Sequence, residues 1–227
     1  MTIQPAAAVV GDPATLTLQF QHTAQLVDPS WLEIWQVQIC ADGKPVGSLR
    51  AVNGLYGSGG LQARREIRGP SCPEAWEFDD QEDLFSPEGD AQLDRLRSRL
   101  SSQGGLCAVV AQQILSDVEV GLREWGSLNV FVFDQLSLSA PFNVPPIAAA
   151  VAASVSDLVA ADDSLLVFPT GTVTEGGDTA LLEAAGRLLW AEQFSDDLCF
   201  LDTKFDQREG VAEVRELLSP GSDADER

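Results

Sequence analysis

The stretch from residue 129 to residue 172 constrains the fold more than any other part of the chain. NVFVFDQLSLS (129–139) is an apolar run of strand-forming residues. After a short turn, PPIAAAVAASVSDLVAA (145–161) spaces Ile147, Val151, Val155 and Leu158 as one buried helical stripe. Pro145 and Pro146 fit the first turn of a helix, where a missing N–H costs little. The alanines permit close packing on a sheet. SLLVFPTGT (164–172) then reads as a short buried strand closed by Pro and Gly. Strand, helix and strand in this order predict a parallel pair joined by a right-handed crossover. The turn before the helix lies at the carboxyl end of a strand, where open sheets bind ligands.

The flanking sequence supplies the rest of the sheet. TLTLQFQHTAQ (15–25) alternates Leu16, Leu18 and Phe20 with polar residues, the period of a half-buried strand. WLEIWQVQIC (31–40) alternates again with a one-residue slip, and ADGK (41–44) sets Asp-Gly at the centre of a hairpin turn. PVGSLRAV (45–52) returns as its partner. DAQLDRLRSRL (90–100) is read as a helix capped by Asp90. GGLCAVVAQQILSDVEV (104–120) is read as a second helix, with a buried strand at 106–111 as the alternative. DTALLEAAGRLLWAEQF (178–194) predicts another helix and DDLCFLDTKF (196–205) a last strand. The expected fold is therefore α/β or α+β, a mixed twisted sheet with helices on both faces. A flexible leader at 1–14 precedes one domain over 15–218, with an irregular insertion at about 53–128. The segment 219–227 reads as a disordered acidic tail.

Charge and composition exclude several functions. The chain carries 35 acidic and 14 basic residues, a formal net charge of −21. That balance opposes binding to phosphate backbones, which need clustered Lys and Arg. It leaves two readings, a generally acidic surface or one that attracts a basic partner. Cys40, Cys72, Cys107 and Cys199 lie far apart with no CxxC spacing, and His22 is the only histidine. No metal site is expected from such a pattern. The N-terminus lacks the basic start and apolar core of a secretory signal, and no run reaches a membrane span of about 20 apolar residues. A cytoplasmic protein without membrane contact is expected. GLYGSGGLQ (54–62) matches neither nucleotide-loop pattern and reads as a loop.

The order meander, helices, NVFVFDQLSLSAP, helix, SLLVFPTG, GRLLWAEQF and CFLDTKF resembles the GNAT superfamily of N-acetyltransferases. The likeness covers about 129–205 well and extends to DGKPVGSL in the meander. It implies a GNAT fold and a turn, Arg/Gln-x-x-Gly-x-Gly/Ala, whose amides hold the pyrophosphate of acetyl-coenzyme A. The matching loop here is Val144, Pro145, Pro146, Ile147, Ala148 and Ala149. No arginine and no glycine of the pattern is present. The prolines remove two donors, and a branched side chain at Ile147 crowds an approaching phosphate. The resemblance also implies a tyrosine acid near the end of the last helix. Trp190 holds that place, Phe194 matches the aromatic that follows, and the one tyrosine is Tyr56.

Two functions follow from these residues. The first is a non-catalytic, acetyltransferase-like protein without cofactor, binding a protein partner or another copy of itself. The second is an acyl-CoA-dependent N-acetyltransferase with an atypical cofactor mode, in which Glu33 or Asp134 serves as the base for an amine. A hydrolase is disfavoured by the lack of GxSxG, of a metal cluster and of a partnered histidine.

Overall fold

The computed structural model describes residues 11–23, 32–56, 87–117, 128–160, 164–170, 179–202 and 214. Seven strands form one sheet: β1 (Leu16–Thr23), β2 (Leu32–Ala41), β3 (Lys44–Tyr56), β4 (Leu128–Leu138), β5 (Ser164–Pro169), β6 (Glu192–Gln193) and β7 (Leu198–Asp202). Their spatial order is β1-β2-β3-β4-β5-β7-β6. The described helices are α1 (Pro87–Ser102), α2 (Gly105–Asp117), α3 (Pro145–Val159) and α4 (Thr179–Leu188). The fold is α+β, and none of the described helices is long and apolar enough to cross a membrane.

The meander forms as the alternation predicts. Ala41 pairs with Lys44 across a turn in which Asp42 and Gly43 have φ of 49° and 75°. Both values are left-handed, which is what a two-residue turn matching the strand twist requires. β3 continues to Tyr56, so the first residues of the glycine-rich stretch belong to a strand, while 57–62 lie outside the described residues. β4 runs antiparallel to β3 and parallel to β5, where Asn129–Val132 face Ser164–Val167. β7 is antiparallel to β5.

Helices cover both faces. On one face, α3 and α4 pack Ile147, Val151, Val155, Leu182 and Ala185 against Leu49, Phe131, Phe133 and Phe168. The rings of Phe133 and Phe168 stack with centroids 4.7 Å apart. On the other face, α1 and α2 pack Leu96, Leu100, Leu106 and Val110 against Val52, Val130, Val132 and Val167. The stretch 104–120 is thus helical through Asp117, and 118–120 lie outside the described residues.

Three sequence expectations need correction. α1 begins at Pro87, so Asp90 sits inside the helix and is not its N-cap. Leu158 shares the angular stripe of α3 yet is 70% exposed. The helix predicted over 178–194 stops at Leu188. There the Ala191 N–H donates to the Gly186 carbonyl and the Trp190 N–H to the Arg187 carbonyl. These two bonds are a Schellman closure. It puts Trp190 in the left-handed region, at φ 66°, a position usually held by glycine.

Residues 11–14, read from sequence as the end of a leader, are held in place. Asp12 accepts from the Ala14 N–H and starts a single 3-10 turn, Pro13–Thr15. The Gly11 N–H donates to the Pro141 carbonyl, and its α-carbon lies so close to the Phe142 ring that a side chain would collide with it. The proposed tail at 219–227 lies outside the described residues.

Candidate functional site

The turn at the carboxyl end of β4 is built from its own backbone. Phe142 and Asn143 N–H groups both donate to the Ser139 carbonyl, and Val144 donates to Phe142. Val144 is the N-cap of α3 in extended conformation, with no capping side chain. A helix ordinarily leaves its first N–H groups without partners, and these are the donors that hold anions. Here Pro145 and Pro146 have none. The Ile147 and Ala148 N–H groups both donate to the Val144 carbonyl, each at 3.1 Å. None of the first four residues of α3 therefore has a donor to offer. The side chains of Ile147, Ala148 and Ala149 are fully buried in the α3–α4 core. Gly11 and Phe142 cover the turn from the N-terminal side.

Asp134 sits at an irregularity. Arg50 faces Gln135 across β3 and β4 while Ala51 faces Phe133, which leaves Asp134 as the extra residue of a β-bulge. A bulge of this kind re-aims a side chain. Asp134 is 4% exposed and accepts from Arg50, whose other terminal nitrogen donates to Gln103 Oε1 at 2.8 Å. Gln103 directly follows α1, so the guanidinium ties that helix end to the sheet. Beneath lies Cys107, whose thiol burial pushes up to about 12, with Asp134 adding to the rise and Arg50 opposing it. Through one of its oxygens this buried carboxylate serves as the counter-ion of Arg50.

Glu33 lies on the opposite face. It accepts from Asn53 Nδ2 at 3.3 Å, and its other oxygen is 3.9 Å from His22 Nε2. His22 stacks on Trp35 with ring centroids 4.3 Å apart. Asn53 is 3% exposed, and neither its Oδ1 nor the Trp35 Nε1 has a hydrogen-bond partner among the described residues. The structure thus brings Glu33 to His22 and keeps both away from Asp134. Sequence reasoning missed the His22–Glu33 contact. It depends on the register of β1 against β2, which places His22 opposite Trp35.

Trp190, at the place of the implied acid, is 42% exposed just past α4. Phe194 stands edge-on to Phe200 with centroids 5.8 Å apart. Among the described residues no group of three His, Cys, Asp or Glu side chains is placed to share a metal ion.

A recess of about 550 Å³ opens on the face that α1 and α2 leave uncovered. Its floor is polar. Gln19 faces Gln38, Gln38 faces Ser48, and Ser48 faces Ser137. One row further on, Gln21, Gln36, Arg50 and Gln135 stand opposite one another in the same sequence of strands. No protein-family model, no curated protein and no solved structure matches the chain.

Proposed function

We propose that this chain is a non-catalytic protein of GNAT type, a binding or regulatory module that works without acetyl-coenzyme A. The observation that carries the reading is the start of α3, where Pro145 and Pro146 lack N–H groups and those of Ile147 and Ala148 turn back on Val144. A pyrophosphate needs outward donors, and the turn offers none from these residues. The resemblance to the superfamily is supported by the order of elements, meander, helix pair, strand, helix, strand, helix, strand. A protein partner or a second copy of the chain is the proposed ligand, because among the described residues β1 is an edge strand and Phe20 on it is 37% exposed. The net charge of −21 supports a partner other than nucleic acid. Titration of acetyl-coenzyme A into the protein by calorimetry, with a thermal-shift control, tests the reading. Neither heat nor shift is expected, and saturable micromolar binding would overturn it. The second reading, an N-acyltransferase with another cofactor mode, draws on one observation, the Glu33 carboxylate beside His22.

A further inference from the structure

The recess on β1–β4 is an exposed sheet face whose described outward side chains, Arg50 apart, are all uncharged amides and hydroxyls. Strand alternation points Gln36, Gln38, Ser48 and Arg50 away from Val37 and Leu49, which are buried against α3 and α4. Further along the same face the sheet is apolar, and α1 and α2 cover it. Arg50, tied to Gln103 just past α1, stands where the covered part gives way to the open part. In a chain with a net charge of −21, no acidic side chain among the described residues lines this recess. The one cation among its described lining residues, Arg50, is neutralised by Asp134 and held by Gln103. An anion would find no free countercharge among the described residues and would face the field of the whole chain. A cation would find no carboxylate among the described lining residues. What the recess offers is an array of amides and hydroxyls, each able both to donate and to accept.

We propose that the recess is a binding site for an uncharged polyhydroxylated small molecule, a mono- or disaccharide. A sugar hydroxyl also donates and accepts, so neighbouring hydroxyls match the alternating amide groups. The rows lie on adjacent strands about 4.8 Å apart, and successive residues of one face lie about 6.6 Å apart along a strand. A compact ligand can thus meet several amides at once. The volume of about 550 Å³ suits a ligand of this size. The site is separate from the cofactor question, since α3 and its turn pack on the opposite face.

The test is a titration of the full chain with glucose, galactose, maltose and trehalose, following the glutamine side-chain amide signals by NMR. Saturable shifts confined to Gln19, Gln21, Gln36, Gln38 and Gln135 are expected with at least one of these sugars. Gln36→Ala with Gln38→Ala should weaken that binding about tenfold or more, through the loss of two sets of hydrogen bonds. Gln193→Ala, on β6 and outside the recess, should leave it unchanged. Gln38→Glu keeps the shape and adds a charge, so it gives the same loss if the double variant fails to fold. The proposal falls if none of the sugars produces a saturable shift, or if Gln193 shifts alongside the five. It also falls if the shifts survive in the recess variants, or if an uncharged tripeptide saturates the site and the sugars do not.

Discussion

Replacing Arg50 with methionine is expected to destabilise the fold by about 3–5 kcal/mol. Methionine keeps the aliphatic stem, which packs on the sheet, and removes the charge. What is left behind decides the size of the effect. The Asp134 side chain is 5% exposed and that of Arg50 21%, so the carboxylate would stay buried with its counter-ion gone. Gln103 would lose its donor as well, and the end of α1 its tie to β3. The same pair at the surface would be worth only about 0–1 kcal/mol, so the measurement separates the two situations. Urea unfolding followed by tryptophan fluorescence is the assay. With a slope of about 2 kcal/mol per molar, the midpoint should fall by about 2 M. Adding Asp134→Leu to Arg50→Met should recover most of the loss, because a buried pair replaced by apolar residues is often neutral. A loss below about 1 kcal/mol in the single variant would refute the reasoning. Asp134 would then be solvated enough to act as a free carboxylate, and its candidacy as a base would return.

Two further outcomes follow from the packing. Burial pushes the Cys107 thiol up to about 12 and the Cys199 thiol up to about 11, from an ordinary 9.0. The unfolded chain therefore ionises first: the contribution is intact below pH 9 and is lost as pH rises toward the two raised values. At about 1.4 kcal/mol per pH unit per thiol, a variant with both cysteines replaced by alanine should show a flatter alkaline limb in urea-melt stability against pH. Ile147→Ala should cost about 2–5 kcal/mol in the same melts, whereas Leu158→Ala, on the same stripe, should change stability by no more than about 0.5 kcal/mol.

The elements that sequence placed well are those whose causes are local. Asp-Gly between two alternating runs forces the β2–β3 turn, and the Pro-Pro start of α3 is fixed by φ alone. The misplacements have the opposite character. Apolar residues continue past Leu188, so periodicity carries the helix onward, yet Trp190 leaves it because Ala191 must turn into the short β6. Leu158 satisfies the stripe of α3 but points where no core is present among the described residues. Burial depends on what lies opposite a side chain, and spacing along one helix does not carry that information. The polar phase of β1 and β2, Gln19, Gln21, Gln36 and Gln38, was visible in the sequence as ordinary alternation. Its alignment with Ser48, Gln135 and Ser137 into a concave floor rests on registers across four strands.

The start of α3 shows how sequence and backbone act on the same chemistry at different levels. The prolines delete two donors, and this was legible as soon as the turn was compared with a glycine-rich cradle. The second deletion was not legible. Val144, extended at φ −136° and ψ 144°, aims its carbonyl so that the Ile147 N–H bonds to it beside the ordinary first helical bond from Ala148, which tightens the first turn and spends the one donor the prolines leave. Gly11 then packs on Phe142 over the outside of the turn. A glycine at position 146 would return a single N–H to a turn whose other donors stay engaged. An anion cradle could not be recovered by composition alone. It would require the Val144 carbonyl to turn away, and with it the hydrogen bonds that begin the helix.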